Sequence, residues 1–400
     1  MLNTRPRVNT GLERVFAEPE FRRRLEGRRV AWLANSTTVM PDLVHAVDRS
    51  LAEGLDIVRI FGPEHGLRGG AQDMLHVDTD LDPLTGIPTV SLYGATEQSL
   101  RPKVAELAGV DVVLIDLQDI GSRYYTYAYT AAYMVEACAK AGVEAWILDR
   151  PNPIGGLEVE GNVVQPEFTS FVGAFPIATR HGMTLGELSK LLAARYGWQD
   201  ALTVVEMRGW ERGMFFDETG LPWVLPSPNM PTLDTALVYP GQCLLEGTNL
   251  SEGRGTTRPF ELFGAPWVEA QALYDTLGEK AADLPGVAWR TTAFEPTFQK
   301  HARKTCCGLQ LHVTDRQQFK PLRTAIVLLQ ALLELFPDDF GWREEVYEFV
   351  ADRLAIDLLL GDQIVRLAIE DQMPIGELEV LLNGSRAQFD AERAQHLLYA

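Results

Sequence analysis

The chain has 400 residues, 46% hydrophobic and 23% charged, with 55 acidic against 36 basic side chains and a formal net charge of −19. That length exceeds one simple core and predicts two domains. The acidic balance argues against a nucleic-acid binder, whose phosphate partner needs a basic face, and against an anionic membrane surface.

No apolar stretch nears the roughly 20 residues that span a bilayer. The opening MLNTRPRVNTGLERVF lacks the apolar core of a secretory signal. The cysteines, Cys138, Cys243, Cys306 and Cys307, form no CxxC pair. These features predict a reducing, cytoplasmic setting without structural disulfides. A metal at Cys306-Cys307 would need ligands from elsewhere in the chain.

In chain order, residues 11–26 mix Leu12, Val15, Phe16, Phe21 and Leu25 with many charges, the pattern of a surface helix. Residues 28–34 read as a strand that runs into a polar loop at Asn35. A helix is expected over 41–54, with Leu43, Val44, Val47 and Leu51 at helical spacing and a glycine stop. The next strand, 56–61, breaks at Gly62-Pro63 and presents Glu64 and His65. Strands follow at 88–92 and at 110–117, where VDVVLIDL is the most apolar candidate. The second of these leads into Asp119 and Arg123. A helix over 124–142 and a strand over 144–148 end in Asp149-Arg150-Pro151-Asn152-Pro153.

Strands alternating with helices predict βαβ units in a mainly parallel sheet. Right-handed crossovers put the loops after the strands on one rim, where α/β sheets bind ligands. Asn35, Glu64, Tyr93, Asp119, Arg123, Asp149 and Asn152 should therefore meet at one mouth. Further strands at 161–171, 176–180 and 202–207 and a helix at 184–196 precede two Gly/Pro-rich loops, 225–232 and 246–261. Beyond about residue 258 the chain turns into a smaller α+β unit. Its helices lie at 268–284 and 322–336, its strand at 308–313, and a closing helix at 385–398 docks on the body.

The candidate chemistry sits in the loops, which carry function more often than packing. A carboxyl such as Glu64 beside a closed wall can act as a general acid; the plain alternative is a capping glutamate next to a structural histidine. Asp116, Asp119 and Arg123 could orient a substrate or pair among themselves. Arg123 stands at a helix start, unfavourable for a cation, and calls for a partner or an anionic ligand. Tyr124, Tyr125, Tyr127 and Tyr129 suit sugar rings or the core. Glu158 and Glu160 offer a second carboxylate or an edge-strand charge. The loop 246–261 holds Asn249, Glu252, Arg254 and Arg258 among glycines. Such an arginine can clamp a carboxylate as a fork, or the charges can satisfy one another. No GxGxxG follows the first strand, which argues against a nicotinamide site, and HExxH, GxSxG and zinc spacings are absent.

Six ordered motifs, FGPEHG, DLQDIGSRYYTY, LDRPNPIGG, LEVEGNVV, SPNMPT and EGTNLSEGRGTTRPFE, together with the closing FDAERAQHLLY, resemble the NamZ-type exo-β-N-acetylmuramidases from about residue 30 to the tail. The resemblance implies an α/β fold in which a Rossmann-like catalytic domain, 1–258, is followed by an auxiliary α+β domain, 259–400, with the active site in the cleft between them. It implies release of N-acetylmuramic acid from the non-reducing end of small peptidoglycan fragments of the MurNAc-GlcNAc type, with no cofactor and no metal. Glu64 would be the acid with His65 its neighbour, and Glu160 or Asp119 the second group. Asn35, Arg123, Tyr125, Asn152, Asn229, Asn249, Glu252, Arg254 and Arg258 would line the pocket. Arg254 or Arg258 is expected to read the lactyl carboxylate of muramic acid. Many members of the family are exported, whereas this chain is expected to process recycled fragments in the cytoplasm. The alternatives are a non-catalytic muropeptide binder and an amide- or ester-cleaving hydrolase acting on the same fragments.

Overall fold

The computed structural model describes residues 7–64, 66–67, 80–94 and 96–400. Among these, the first unit contains β1 (Arg29–Ala34), β2 (Asp56–Gly62), β3 (Asp80–Leu81), β4 (Pro88–Ser91), β5 (Val112–Asp116) and β6 (Glu144–Leu148). An antiparallel ribbon, β7 (Glu160–Val163) and β8 (Ala178–Arg180), precedes β9 (Leu202–Val205). The main sheet runs β3-β4-β2-β1-β5-β6-β9. Six of these strands are parallel, and β3 pairs antiparallel at the edge. Counted in chain order, the parallel strands fall 3-2-1-4-5-6, the Rossmann arrangement, whose order reverses between β1 and β5.

Helices cover both faces, which is why β5 reads as a continuous apolar run. Val112 and Leu114 face one core with Trp32 and Trp146, and Val113 and Ile115 face the other. α1 (Gly11–Ala17), α2 (Pro19–Leu25) and α3 (Ala46–Ala52) belong to the first face; α4 (Tyr127–Ala141) and α5 (Leu185–Tyr196) belong to the second.

Three expectations change in detail. Residues 11–26 form two short helices, because Pro19 lacks the N–H to continue the first and instead starts the second. They are also no mere surface cover, since Leu12 and Val15 are buried. The third helix begins at Ala46, where His45 Nδ1 accepts from Val47 N and caps it. The fourth begins at Tyr127, which leaves 117–126 as an irregular segment over the rim. Its end at Gly142, in the left-handed region, is as expected.

After the sheet comes α6 (Leu233–Gln242), and the second unit holds β10 (Leu262–Ala265), α7 (Ala270–Glu279), β11 (Val287–Phe294) and β12 (Cys306–Val313), with α8 (Pro321–Leu335) as its largest apolar helix. Its antiparallel sheet is ordered β10-β12-β11. α9 (Ala355–Leu360), α10 (Gln363–Glu370), α11 (Ile375–Gly384) and α12 (Ala387–His396) complete the chain. The tail returns to the first unit: Tyr399 Oη donates to Asp149 Oδ2 at 2.6 Å, and Leu398 N donates to Glu187 Oε1 at 2.8 Å. All four cysteines are free thiols. No helix among the described residues is long and apolar enough to cross a membrane.

Candidate active site

Strand β2 delivers Glu64 to the rim through Gly62-Pro63. A turn closes behind it, with Gly66 N donating to Pro63 O at 2.9 Å and Gly66 itself at φ +76°, a conformation that favours glycine. The Glu64 side chain is 8% exposed, and its Oε2 accepts from Thr126 Oγ1 at 2.9 Å. Thr126 is the residue just before α4. The neighbouring Tyr127 hydroxyl donates to Pro226 O at 2.7 Å and lies 3.4 Å from the Glu64 carbonyl, which ties the SPNMPT loop to the acid's loop.

A second wall comes from residues 246–254. Arg254 reaches Glu246 Oε1 at 2.7 Å through a terminal nitrogen and Glu252 Oε1 at 3.4 Å through Nε, and its guanidinium lies 5.1 Å from the Phe260 ring centre. Lys300 Nζ pairs with Glu252 Oε2 at 2.7 Å and donates to the carbonyls of Leu245 and Thr248. Tyr347 Oη donates to Glu246 Oε2 at 2.8 Å. Burial pushes the Glu246 carboxyl up, but the charge and hydrogen bond of Arg254 and the Tyr347 hydroxyl outweigh it and hold the group below its ordinary value. Gly255, at φ +80°, lies against the backbone of Thr297 and Phe298, where a Cβ would sit 2.8 Å from Thr297 N.

These walls enclose a cavity of about 700 Å³. Tyr124, Tyr125, Tyr239, Phe260, Trp342 and Tyr347 supply aromatic surface around the carboxylates, a combination suited to a sugar ring. Burial raises the Tyr125, Tyr239 and Tyr347 phenols well above their ordinary values, so they stay protonated and able to donate. Among the described residues, no group of three or more His, Cys, Asp or Glu is placed to hold a metal ion.

Of the residues expected at the site, Glu64, Tyr125, Asn229, Asn249, Glu252 and Arg254 line this cavity. Asn249 is also anchored to the strap that follows α8, through Asp339 O at 2.7 Å and Gly341 N at 3.2 Å. His65 lies outside the described residues.

The others are not in the cavity lining, although Asn35 reaches the Tyr127 hydroxyl and Arg123 lies 5.8 Å from the Tyr124 ring centre, both of which line it. Asn35 is buried beneath the rim, and its Oδ1 accepts from Thr37 N and Oγ1. Asp119 Oδ2 accepts from Gly121 N at 2.7 Å and faces His181 Nε2 at 3.3 Å. Arg123 is fully buried with its guanidinium on the carbonyls of Asn162, Ile177, Leu359 and Leu360; burial lowers its pKa. Asn152 bridges Met183 O and Ile154 N. Glu160 pairs with Arg180 at 2.9 Å beside a separate hollow, and burial pushes its carboxyl up against the pull of that arginine. Arg258 is 42% exposed and pairs with Glu261 at 3.2 Å. Sequence reasoning passed over Glu246, Lys300, Arg343 and Tyr347 as site residues, although all four line the cavity. Glu246 opens the EGTNLSEGRGTTRPFE motif and could have been found there; the other three carry no local signal.

Two family models cover the chain: Exo-beta-N-acetylmuramidase NamZ, N-terminal, over residues 30–234, and its C-terminal counterpart over 237–399. The Peptidoglycan beta-N-acetylmuramidase NamZ of Bacillus subtilis (strain 168) is 42% identical over 397 residues, which is 99% of this chain and 92% of the relative. Two crystal structures of DUF1343 family proteins from Bacteroides fragilis NCTC 9343 share the fold. One has a TM-score of 0.85 at 32% identity, covering 99% of this chain and 100% of its own. The other has a TM-score of 0.74 at 28% identity, covering 98% and 99%.

Proposed function

The chain belongs to the NamZ family of exo-β-N-acetylmuramidases, and we propose that Glu64 is the general acid of its glycosidase reaction, releasing N-acetylmuramic acid from the non-reducing end of MurNAc-GlcNAc-type fragments. The chain is a peptidoglycan-directed glycosidase. Glycoside cleavage needs a proton for the leaving oxygen and negative charge beside an anomeric carbon that turns oxocarbenium-like. The observation that carries our reading is the buried Glu64 carboxyl in one cavity with a wall holding Glu246 and Glu252. The Thr126 hydroxyl fixes its Oε2, which leaves Oε1 as the oxygen to deliver the proton.

Since Glu160 and Asp119 stand outside the cavity lining, and Glu246 and Glu252 are paired with Arg254 and Lys300, no protein carboxylate is assigned as the second group. The sugar's own acetamido oxygen is the nucleophile consistent with that arrangement, an established exception to the two-carboxylate scheme. The proposal includes a cytoplasmic role in fragment recycling, with four free thiols in keeping with a reducing compartment. A division of labour between a catalytic unit to residue 258 and an auxiliary unit from 259 goes with it. Release of N-acetylmuramic acid from a MurNAc-GlcNAc disaccharide, whose sugar leaving group needs the proton, tests the reading. Glu64→Gln should lower turnover about 10³-fold, within the range for a lost general acid, while MurNAc binding persists. Near-normal turnover in that variant would remove Glu64 from the mechanism.

A further inference from the structure

The cavity has an electrostatic difficulty that its geometry resolves at one residue. Among the described residues its lining carries six glutamates, Glu64, Glu246, Glu252, Glu344, Glu345 and Glu348, against three fixed cations, Arg254, Lys300 and Arg343. A substrate with a carboxylate enters such a place only if it meets a cation whose charge is not already spent, because an anion desolvated among like charges is strongly disfavoured.

The cations can be taken in turn. Arg254 is held between Glu246 at 2.7 Å and Glu252 at 3.4 Å, all three side chains being about nine-tenths buried or more. Lys300 places its ammonium 2.7 Å from Glu252 Oε2 as an ion pair and donates to two backbone carbonyls at 2.8 and 3.0 Å, so its charge is balanced by a buried carboxylate. Arg343 differs. Its one ion pair among the described residues is with Glu345 at 3.7 Å, beyond hydrogen-bond reach, and that glutamate side chain is 80% exposed. Its one side-chain hydrogen bond among the described residues goes to Val346 O at the limiting distance of 3.5 Å. The guanidinium lies 5.2 Å from the Tyr347 ring centre, and the side chain is 24% exposed at the cavity wall.

Its position is nonetheless fixed. Arg343 N donates to Gly247 O at 2.9 Å, and Trp342 pairs with Thr248 in an antiparallel bridge. The backbone of the 342–343 segment is thus fastened beside Glu246, and the Tyr347 phenol that Arg343 covers donates to Glu246 itself. A rigid backbone, an aromatic shelf and a fork of donors whose one ion-pair partner among the described residues is the exposed Glu345 make a site for a planar anion.

The geometry points to Arg343 as the specificity-determining residue that binds the substrate's carboxylate, the lactyl group in a muramide. This inference rests on the muramidase reading and deepens it. It moves the role from Arg254 and Arg258, where sequence alone had placed it, because the first is neutralised by two buried carboxylates and the second stands outside the cavity lining.

The test uses the full-length protein and two aryl β-muramides, one with the free lactyl carboxylate and one with its methyl ester. The unmodified protein should prefer the acid about tenfold to a hundredfold in kcat/KM, the size of a charge-assisted hydrogen-bonded pair. Arg343→Gln should abolish that preference by raising KM for the acid, with kcat for both substrates within about threefold of the parent, the signature of lost uniform binding. Arg343→Lys should keep part of the preference. An unmodified protein that cleaves both substrates equally overturns the inference whatever the variants do, so a variant that fails to fold does not protect it. A preference that survives intact in Arg343→Gln overturns it too. An unmodified protein that cleaves neither substrate sinks the muramidase reading itself, a separate outcome.

Discussion

The Thr126 hydroxyl and the Glu64 carboxylate meet across two different rim loops, donor to acceptor, at 2.9 Å. Thr126 touches the acid and not the cavity's far wall, so it acts by orienting Oε2. Thr126→Val removes the donor at nearly constant volume. It should lower kcat about tenfold, with little change in KM. Thr126→Ser should restore most of the rate. A drop in melting temperature with an unchanged kcat would mark the contact as structural only.

Arg254 and Arg258 looked alike in the sequence and should behave differently. Glu246, Glu252 and Arg254 form a buried network, and removing one partner strands the others. Glu246→Ala should cost about 3 kcal/mol of stability, read as a lower denaturation midpoint, together with most of the activity. Arg258→Gln breaks an ion pair whose arginine is 42% exposed, in the class of surface pairs worth about 0–1 kcal/mol, and should leave kcat/KM unchanged. Equal losses in the two variants would contradict this division.

What could be read from the chain divides along a physical line. The parallel strands were legible because burial on both faces writes a continuous apolar run, as in residues 112–116. Glu64 was legible because Gly62-Pro63 ends a strand just before it. The roles of Arg123, Asn152 and Glu160 were not. A polar residue at a strand end looks the same in sequence whether it faces a ligand or satisfies buried carbonyls, as Arg123 does four times over. Arg343, Tyr347 and Lys300 reach the cavity because the second unit folds back over the first unit's rim, and no local pattern encodes that encounter.

The chain's end should make stability depend on pH. Asp149 is fully buried, and burial raises its carboxyl from 3.8 to about 7 despite hydrogen bonds from Tyr399, Thr184 and Gly186. The folded state therefore keeps a proton that the unfolded chain releases near pH 4. Below that pH the group carries no penalty. Between about pH 4 and 7 the penalty grows, and above 7 it is complete, about 4 kcal/mol. Asp149→Asn should remove this loss, making the variant's melting temperature less sensitive between pH 5 and 8 than the parent's. Tyr399→Phe deletes a donor to the ionised form and should steepen the decline. Parallel curves for all three proteins would show that Asp149 does not titrate in this range.

Arg123 offers the sharpest separation between a substrate contact and a tie within the fold. Its guanidinium gathers carbonyls from the β7–β8 region and from the carboxyl end of α9, so one side chain fastens the rim of the first unit to a helix of the second. Among the described residues no carboxylate pairs with it; four backbone dipoles balance the charge, two of them at the helix end that favours a cation. Arg123→Met would keep the stem's packing and leave those acceptors unsatisfied in the interior, each at a cost of about 1–3 kcal/mol. A large fall in melting temperature is expected, with faster amide exchange in both α9 and the β7–β8 ribbon, because the tie is shared. At low temperature the surviving folded fraction should keep a near-normal KM for the muramide. If KM rises while the melting temperature stays put, Arg123 touches substrate, and the role that family resemblance implies for it is restored.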